Sequence, residues 1–421
     1  MANNRLDIIV FGATGFTGQY AVKYAAHFCK EWQLKFGIAG RRKEALEAVL
    51  KEFAPDAENV PIILADVNDE TSLKKMTEST KVLVNCCGPY RLYGEPVVKT
   101  CIATHTHHVD VSGEPWFIES MQLLYNKAAQ EAGVYIVSAC GYDSIPVDLG
   151  IIFAQRKFGG EINSVETYVE FKGPKTGPMI NYGTWESAVY GLAQWNELRG
   201  LRAKLYPKKL PEFTPKLESR GMMHKSDIVK GWSTLFLGSD RSVAMCTQRF
   251  LYEKYNERPA QVRTYLRLES FFTLMTFFIV GMIFWLMVRT SFTRKLLLKY
   301  PTLFSGGAVG HGNMTHKSES ARSSITFRAL GWSEKLANPT DKHTDPPNKE
   351  LITKLNDVVD PAYRVTCTTL VLSAIMILKE ADKMPDNGGV LSPGAAFGKT
   401  SLIEEMDKND IKFEVIKCIE K

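Results

Sequence analysis

The first part of the chain alternates short apolar runs with longer stretches of helical periodicity. The apolar runs predict strands at residues 8–11, 34–39, 60–65, 82–85, 107–111 and 134–138. The stretches between them predict helices at residues 15–30, 42–53, around Leu73, 95–103 and 116–132. Strands this apolar must be covered on both faces, and helices of this length impose right-handed crossovers. The pattern therefore predicts a doubly wound parallel α/β sheet.

Beyond residue 150 the pattern becomes a mixed α+β one. The pattern predicts two half-buried strands, at residues 165–172 and 325–332, and an amphipathic helix at residues 183–202. It also predicts an apolar helix within residues 361–380 that is too short to span a bilayer. On the amphipathic helix, Trp185 and Tyr190 either line a substrate pocket or belong to the core. We divide the chain into a first domain, a second α+β domain and a C-terminal segment that returns to the first domain, at residues 1–150, 151–390 and 391–421.

An uncharged apolar stretch interrupts the second domain. Residues 271–288 are 18 consecutive uncharged positions, the lower limit for a spanning helix. Basic residues stand at both ends of the stretch, whereas a spanning helix normally has an excess on one side. We therefore expect segment 268–290 to insert into a membrane or lipid-droplet surface from one side, with Gly281 as a bend. A buried core helix and a homodimer interface are the alternatives.

A glycine-rich loop joins the first predicted strand to the first helix. Gly12, Gly15 and Gly18 form the pattern G-x-x-G-x-x-G between the two elements. Glycine at these positions permits a tight turn, close approach of a pyrophosphate and close packing of the helix on the sheet. The loop therefore predicts a Rossmann dinucleotide site, formed by Gly12, Thr14, Gly15, Phe16, Thr17 and Gly18.

The residues after the second and third strands bear on the choice of dinucleotide. The second strand ends in Ala-Gly-Arg-Arg, without the acidic residue that binds a free ribose 2′-hydroxyl. Arg41 and Arg42 instead offer forked donors to a 2′-phosphate, which favours NADP over NAD; the alternative is that they lie in solvent at the start of the next helix. Asp66 either reaches the adenine rim or caps the following short helix.

Two further loops follow the carboxyl ends of predicted strands, where ligands bind in open α/β sheets. Gly88, Pro89 and Tyr90 follow the fourth strand and are expected to form a wall of the cofactor site. The loop after the sixth strand contains three candidate catalytic residues that could hydrogen-bond a carboxamide or a substrate oxygen, Tyr142, Asp143 and Ser144. Their alternative role is purely as turn and cap residues.

Composition and charge exclude several classes of protein. A net charge of +6 is too mild to indicate a nucleic-acid partner, and eight cysteines without a C-x-x-C pair are typical of a reduced, intracellular protein. The first strand begins near Asp7, which leaves no room for a signal or transit peptide. His105, His107 and His108 lack a partner spaced to complete a metal site, so we expect no metal.

The loops described above, together with the C-terminal run Gly-Gly-Val-Leu-Ser-Pro-Gly-Ala-Ala-Phe-Gly at residues 388–398, resemble the saccharopine dehydrogenase-like oxidoreductases over nearly the whole chain. The resemblance implies a Rossmann domain, an inserted α+β domain and a returning C-terminal segment. It does not imply the amino-acid reaction, because the sequence shows no set of basic residues for the substrate carboxylates. Mycobacterial members of the wider family look like trans-acting enoyl reductases of glycolipid assembly.

These observations predict an NAD(P)H-dependent oxidoreductase that transfers a hydride to or from a lipid-type substrate, by enoyl or carbonyl reduction, at a membrane surface. An endoplasmic reticulum membrane or a lipid droplet is favoured, and a mitochondrial membrane stays open. Two other functions remain. One is a dinucleotide-binding membrane scaffold without turnover, and the other is a saccharopine-type amino-acid dehydrogenase.

Overall fold

The computed structural model describes residues 5–173, 180–310 and 321–420. The first domain alternates strands with helices. The strands are β1 (Leu6–Phe11), β2 (Phe36–Gly40), β3 (Ile62–Leu64), β4 (Thr80–Asn85), β5 (His107–Asp110) and β6 (Tyr135–Val137). The helices are α1 (Phe16–Glu31), α2 (Lys43–Phe53), α3 (Glu70–Glu78), α4 (Tyr90–Ala103) and α5 (Pro115–Glu131). Every predicted element of this domain is therefore present, with ends shifted by a few residues.

The second part of the chain is richer in long strands. Its strands are β7 (Glu161–Lys172), β8 (Ile180–Asn181), β9 (Met223–Lys225), β10 (Trp232–Leu235), β11 (Gln261–Leu268), β12 (Val309–Gly310), β13 (Arg322–Trp332), β14 (Lys349–Val359), β15 (Gly389–Leu391) and β16 (Phe413–Glu420). Its α-helices are α6 (Ile145–Phe158), α7 (Tyr182–Ala193), α8 (Glu197–Leu205), α9 (Asp240–Tyr255), α10 (Phe271–Met287), α11 (Ser291–Lys299), α12 (Pro301–Phe304), α13 (Thr366–Lys379), α14 (Pro393–Phe397) and α15 (Leu402–Lys408). A π-helical turn at Pro361–Val365 precedes α13, and a 3₁₀ turn at Ala381–Lys383 follows it.

The first sheet is parallel throughout, in the order β15-β6-β5-β4-β1-β2-β3. Its central strand β1 explains the double winding. Ile8 and Val10 point into one apolar core cluster, and Ile9 and Phe11 point into another on the opposite face. A strand whose alternate side chains are all apolar must be covered on both faces, as the sequence predicts. The expected Rossmann sheet is confirmed.

The second sheet is mixed, in the order β16-β14-β13-β7-β11-β10-β9. Residues 165 and 169 of β7 point toward α6 and the main core, and the long β13 pairs antiparallel with β7 along its length. A small parallel pair, β8 with β12, stands apart from both sheets. The second α+β domain expected from the sequence is confirmed.

The C-terminal part divides between the two sheets. The returning segment was placed at residues 391–421; in the structure, the strand that joins the first sheet is Gly389–Leu391, beside β6. The chain then leaves that sheet, and Phe413–Glu420 pairs with β14 in the second sheet. The C-terminal residues therefore tie the two domains together rather than returning to one of them.

Two predicted helix boundaries are wrong. The single helix expected over 183–202 is two helices, α7 and α8, separated by a turn at residues 194–196. Helix α4 begins at Tyr90 instead of Glu95, because the Glu114 carboxylate accepts hydrogen bonds from the N–H groups of Tyr90 (2.9 Å) and Arg91 (3.0 Å). A cap supplied by a residue 24 positions away leaves no local signal in the sequence.

The two apolar helices have opposite environments. The stretch Pro361–Lys379 meets the length and composition of a membrane span, but 83% of it is buried, and α13 packs against α1, β4 and β5. It is therefore a core helix. Helix α10 is shorter, at 17 residues, and only Leu274 of it is buried. The alternative of a buried core helix for segment 268–290 is thus wrong.

Candidate functional site

The glycine loop has the geometry that a dinucleotide requires. Gly12 has a φ of +77°, and a Cβ there would lie 2.7 Å from the Sγ of Cys87. A Cβ at Gly18 would overlap the carbonyl oxygen of Gly12, so the helix can approach the loop only with glycine at this position. Gly15 is exposed, and its amide donates to the carbonyl of Gly12 (2.9 Å). The loop is thus tight, rigid and open at its tip.

The start of α1 leaves donors for an anion. Gly15 is the N-cap residue, no side chain caps the helix, and the first turn contains no acidic residue. Gln19 is the first residue whose N–H bonds to the carbonyl four residues back. The amides of Phe16, Thr17 and Gly18 precede it and therefore have no such partner within the helix. These amides and the positive end of the helix dipole fit a diphosphate.

Arg41 and Arg42 follow β2 and are both exposed, and neither side chain forms a hydrogen bond or an ion pair within the described residues. Burial raises the pKa of Cys87, and the nearby Arg41 guanidinium opposes that rise. Arg41 therefore lies on the glycine-loop side of the strand ends. Asp66 lies after β3. Its Oδ1 accepts a hydrogen bond from the N–H of Asn68 (3.0 Å), and this bond forms a local turn. The N-cap residue of α3 is Asp69 instead.

The loop after β4 contributes two of its three predicted wall residues. Gly88 and Tyr90 border the cleft between the domains, whereas Pro89 is buried behind them. The hydroxyl of Tyr90 donates to the carbonyl of Asn85 (2.8 Å), and burial raises the pKa of Tyr90 well above its usual value. Tyr90 is therefore a fixed neutral donor in the wall and not a proton source.

A buried carboxyl organises the ends of β5 and β6. Asp110 is fully buried and accepts hydrogen bonds from the amide of Ser112 (2.9 Å), the hydroxyl of Ser138 (2.8 Å) and the amide of Ala139 (3.2 Å). Ala139 has a φ of +63°, which is strained for a residue with a Cβ. Burial raises the pKa of Asp110 to about 7. Asp110 thus holds the strained bend from which the candidate catalytic loop leaves.

The three candidate catalytic residues have different environments. The Tyr142 hydroxyl is buried and hydrogen-bonded to Ser323, and its pKa is raised by burial. The Ser144 hydroxyl is buried against that of Ser239 (2.8 Å). The Asp143 side chain is solvent-accessible within the cleft, and the cleft walls raise its pKa by removing surrounding water. Of the three, only Asp143 presents a free polar group to a ligand.

The cleft itself lies between the domains and has a volume of about 420 Å³. The first domain contributes the strand-end loops, including Thr17, Cys86 and Glu114. The second domain contributes one face of α7, the turn that follows it, and the 237–238 segment before α9. A smaller cavity of about 100 Å³ adjoins it and shares Thr17 and Asp143. The glycine loop and the catalytic loop therefore open onto one continuous space, as expected at a topological switch point.

Several cleft residues escape the sequence analysis. Glu114 bridges the domains, since it also accepts from the Ser187 hydroxyl of α7 (2.9 Å). The strand-end rule that identified the loops after β4 and β6 would have found Glu114 after β5. By contrast, Trp185 and Tyr190 do not line the cleft, and Trp185 is buried on the opposite face of α7, against Phe284. Trp195, on the turn after α7, borders the cleft instead, as does Trp116 of α5.

The histidines are spread over different environments. His105 lies in a turn with a φ of +53°, His107 accepts from the amide of Tyr135, and His108 is buried, which lowers its pKa to about 3. Among residues 5–173, 180–310 and 321–420, no group of three or more ligand-type side chains has the arrangement of a metal site.

Comparison with known proteins adds an independent finding. A family model described as the saccharopine dehydrogenase NADP-binding domain matches residues 8–137. A human saccharopine dehydrogenase-like oxidoreductase is 38% identical, and the match covers 98% of both chains. A Caenorhabditis elegans protein named lipid droplet localized protein is 33% identical over 98% of both chains. The apo saccharopine dehydrogenase (L-Glu forming) of Saccharomyces cerevisiae shares the fold, with a TM-score of 0.58 at 14% identity over 98% of this chain and 100% of that one.

Proposed function

Because the chain belongs to the saccharopine dehydrogenase-like oxidoreductases, and is therefore an NAD(P)-dependent oxidoreductase with an NADP-binding domain, we propose that it reduces a C=C or C=O bond of a lipid-type substrate at a membrane surface. When bound, the reduced nicotinamide supplies a hydride, that is, one hydrogen with two electrons. The protein must then hold the acceptor carbon at the strand ends, exclude water and deliver one proton. The glycine loop, the free amides of α1 and Arg41 would hold the dinucleotide.

One observation carries the lipid assignment: helix α7 is shared between the cleft and an exposed apolar surface. One face of α7 borders the cleft, with Ser187 tied to Glu114 of the first domain. The other face packs on α10 and α11, through a contact of Trp185 with Phe284 (4.9 Å between ring centroids) and a hydrogen bond from its indole N–H to the carbonyl of Leu297 (3.0 Å). A substrate dissolved in a membrane would therefore lie one helix diameter from the cofactor site.

The apolar surface has the properties of a membrane anchor. Helix α10 exposes large apolar side chains along its length, at fractions between 42 and 82%: Phe271, Phe272, Phe277, Ile279, Val280, Met282, Ile283, Trp285 and Leu286. Seventeen residues make a helix about 26 Å long, short of a hydrocarbon core of about 30 Å. Because β11 and α11 connect both ends of α10 to the same body, insertion from one side fits better than a span. Exposed Phe292 and Leu303 extend the surface.

We place this surface at the endoplasmic reticulum or on lipid droplets, in line with the name of the nematode relative. A mitochondrial membrane is the alternative location. A second copy of the chain is the alternative occupant of the surface. Mixing the purified protein with phosphatidylcholine vesicles distinguishes these occupants. A membrane protein floats with the vesicles, whereas a homodimer keeps twice the chain mass in light scattering and stays behind.

Asp143 is proposed as the proton donor. It lies where the glycine-loop and α7 sides of the cleft meet, and it lines both cavities. The direction of its pKa shift favours the protonated form, which a donor needs before hydride transfer. The proton passes from the Asp143 carboxyl to the substrate oxygen or α-carbon, and the carboxylate is reprotonated from solvent. Tyr142 and Ser144 position the loop through Ser323 and Ser239.

The test is oxidation of NADPH by the full chain, supplied with membrane lipid extracts in vesicles. Consumption of NADPH above a no-lipid control supports the proposal, and loss of that consumption in Asp143→Asn with unchanged NADPH affinity supports the donor role. Binding of NADPH without consumption with any extract would instead indicate a scaffold. The amino-acid alternative receives little support, since Arg91 is the cation in the described cleft lining and its guanidinium already pairs with Glu197 and stacks on Trp116.

A further inference from the structure

The cleft-facing side of α7 forms a continuous stripe of small and apolar residues. Residues three or four positions apart share one face of a helix, and the cleft-lining positions of α7 and its following turn recur at that spacing: Thr184, Ser187, Ala188, Gly191, Leu192 and Trp195. The eleven steps from Thr184 to Trp195, at 1.5 Å per step, give a stripe about 16 Å long. We call this stripe the α7 groove.

Polarity changes along the groove. At its inner end lie Thr17 and Asp143, beside the glycine loop. At its outer end lies Trp195, which is 49% exposed although it borders the cleft. Leu237, which is 65% exposed, also borders the cleft, two residues before Ser239, whose hydroxyl contacts the Ser144 hydroxyl and the Asp143 carbonyl. A polar, proton-donating inner end and an apolar outer end suit a ligand with a polar head and a long tail.

The groove has free space at its centre. A Cβ built at Gly191 meets no atom within 4 Å, so this position opens into the cleft. Ala188, one turn earlier, is also small. A larger residue at either position would lie where a ligand could otherwise run.

We propose that the α7 groove binds the hydrocarbon chain of a single-chain acyl substrate, with its carbonyl end at Thr17 and Asp143 and its tail leaving past Trp195. This rests on the proposed lipid function and specifies it, because it names the chain site and the orientation. A chain so placed covers the exposed side chain of Trp195 at the mouth. It also excludes water from the inner end, where the proton is delivered.

The chain offers a matched pair of variants for the test. Gly191→Leu fills the groove, whereas Gly200→Leu makes the same change on α8, at a position that is also open but does not line the cleft. The probe is methyl cis-parinarate, a fluorescent 18-carbon ester. The neutral ester avoids repulsion by the carboxylates Asp143 and Glu114 at the inner end. It is titrated into the NADPH-saturated full chain at one fixed detergent concentration.

We expect Gly191→Leu to weaken probe binding at least tenfold, and Gly200→Leu to change it less than twofold. NADPH affinity should be unchanged in both variants, which shows that they are folded. Phe272→Glu on α10 should also retain probe binding, because the chain site is separate from the anchor. Equal probe affinity in wild type and Gly191→Leu would overturn the proposal.

A second measurement uses the unmodified chain and therefore does not depend on how a variant folds. A palmitic acid methyl ester with a diazirine at its tail end is photolysed on the protein, and the cross-linked peptides are identified by mass spectrometry. Labels at Trp195 support the orientation, and labels confined to α10 refute it. Probe binding in the groove without NADPH oxidation by any lipid would leave the chain site standing and remove the proposed redox function. Lipid-dependent oxidation of NADPH with unchanged probe binding in Gly191→Leu would support the redox function and remove the proposed chain site.

Discussion

The coenzyme preference can be tested at Arg41. The side chain is exposed and makes no hydrogen bond or ion pair within the described part of the chain, so Arg41→Ala should leave the fold unchanged. A hydrogen bond to a charged group contributes about 1.5–3 kcal/mol, and an exposed site belongs at the low end of that range. Since about 1.4 kcal/mol is tenfold in affinity, we expect Arg41→Ala to raise the Kd for NADPH about tenfold. NADH lacks the 2′-phosphate, so its Kd should change less than twofold.

Quenching of tryptophan fluorescence by each coenzyme measures both constants on the same protein. Lys43→Ala is the matched control: Lys43 is a neighbouring exposed cation whose loss removes the same charge, and it pairs with Glu47 on the helix surface (3.8 Å). Arg42→Ala should have a smaller effect than Arg41→Ala, because the charge of Arg41 is the one felt at Cys87. Equal weakening of NADPH and NADH, or an Arg41→Ala variant no worse than Lys43→Ala, would refute the assignment.

Three further outcomes are expected. Gly18→Ala should abolish NADPH binding, because its Cβ would overlap the Gly12 carbonyl oxygen. Gly15→Ala should weaken binding less, because its Cβ would lie 3.2 Å from the same oxygen. Both effects are measured by the same titration. Burial raises the pKa of Asp148 to about 7, so the native state holds a proton that the unfolded chain releases near pH 4. The free energy of unfolding should therefore fall as pH rises from about 4 to about 7, and Asp148→Asn should flatten that fall by at most about 1.4 kcal/mol per pH unit in urea titrations. Phe272→Glu should reduce vesicle flotation at least tenfold without changing the urea midpoint; equal loss in Leu124→Glu, which is 59% exposed on α5, would contradict a specific anchor.

The sequence was sufficient for the first domain because its signals are local. Residues 8–11 are four consecutive apolar residues, three of them β-branched, which favours a strand covered on both faces, and the glycines at 12 and 18 are required by backbone geometry that the structure shows directly. The seventh strand could not be predicted in the same way. Gly389–Leu391 is only three residues long and joins β6 from a distant part of the chain. Its place depends on tertiary packing.

The candidate site was predictable in part, for a similar reason. Strand ends mark the loops that line the cleft, so Gly88, Tyr90 and Asp143 were found from the order of elements alone. Sequence reasoning left open whether Trp185 lines a substrate pocket or belongs to the core, and it did not single out Trp195, which lies in the same predicted amphipathic helix. The contact of Trp185 with Phe284 of α10 decides the difference, because it assigns the Trp185 face of α7 to the packed side and leaves to the cleft the face that continues to Trp195, in the turn at residues 194–196. Nothing local in the sequence marks that turn.

The charges around α10 show how the structure changes a sequence argument about the membrane. In the sequence, basic residues flank the apolar stretch on both sides, and this balance disfavours a membrane-spanning helix. In the structure, Arg267 is part of the fold: it donates to Glu170 (2.6 Å) and to the carbonyl of Lys230 (2.6 Å). Beyond the other end of α10, Lys295 and Lys299 are exposed, and Arg289 stacks on Trp285 at the apolar surface. Exposed positive charge therefore lies beyond the end of the helix that packs on α7, where anionic headgroups would gather beside the wall of the cleft.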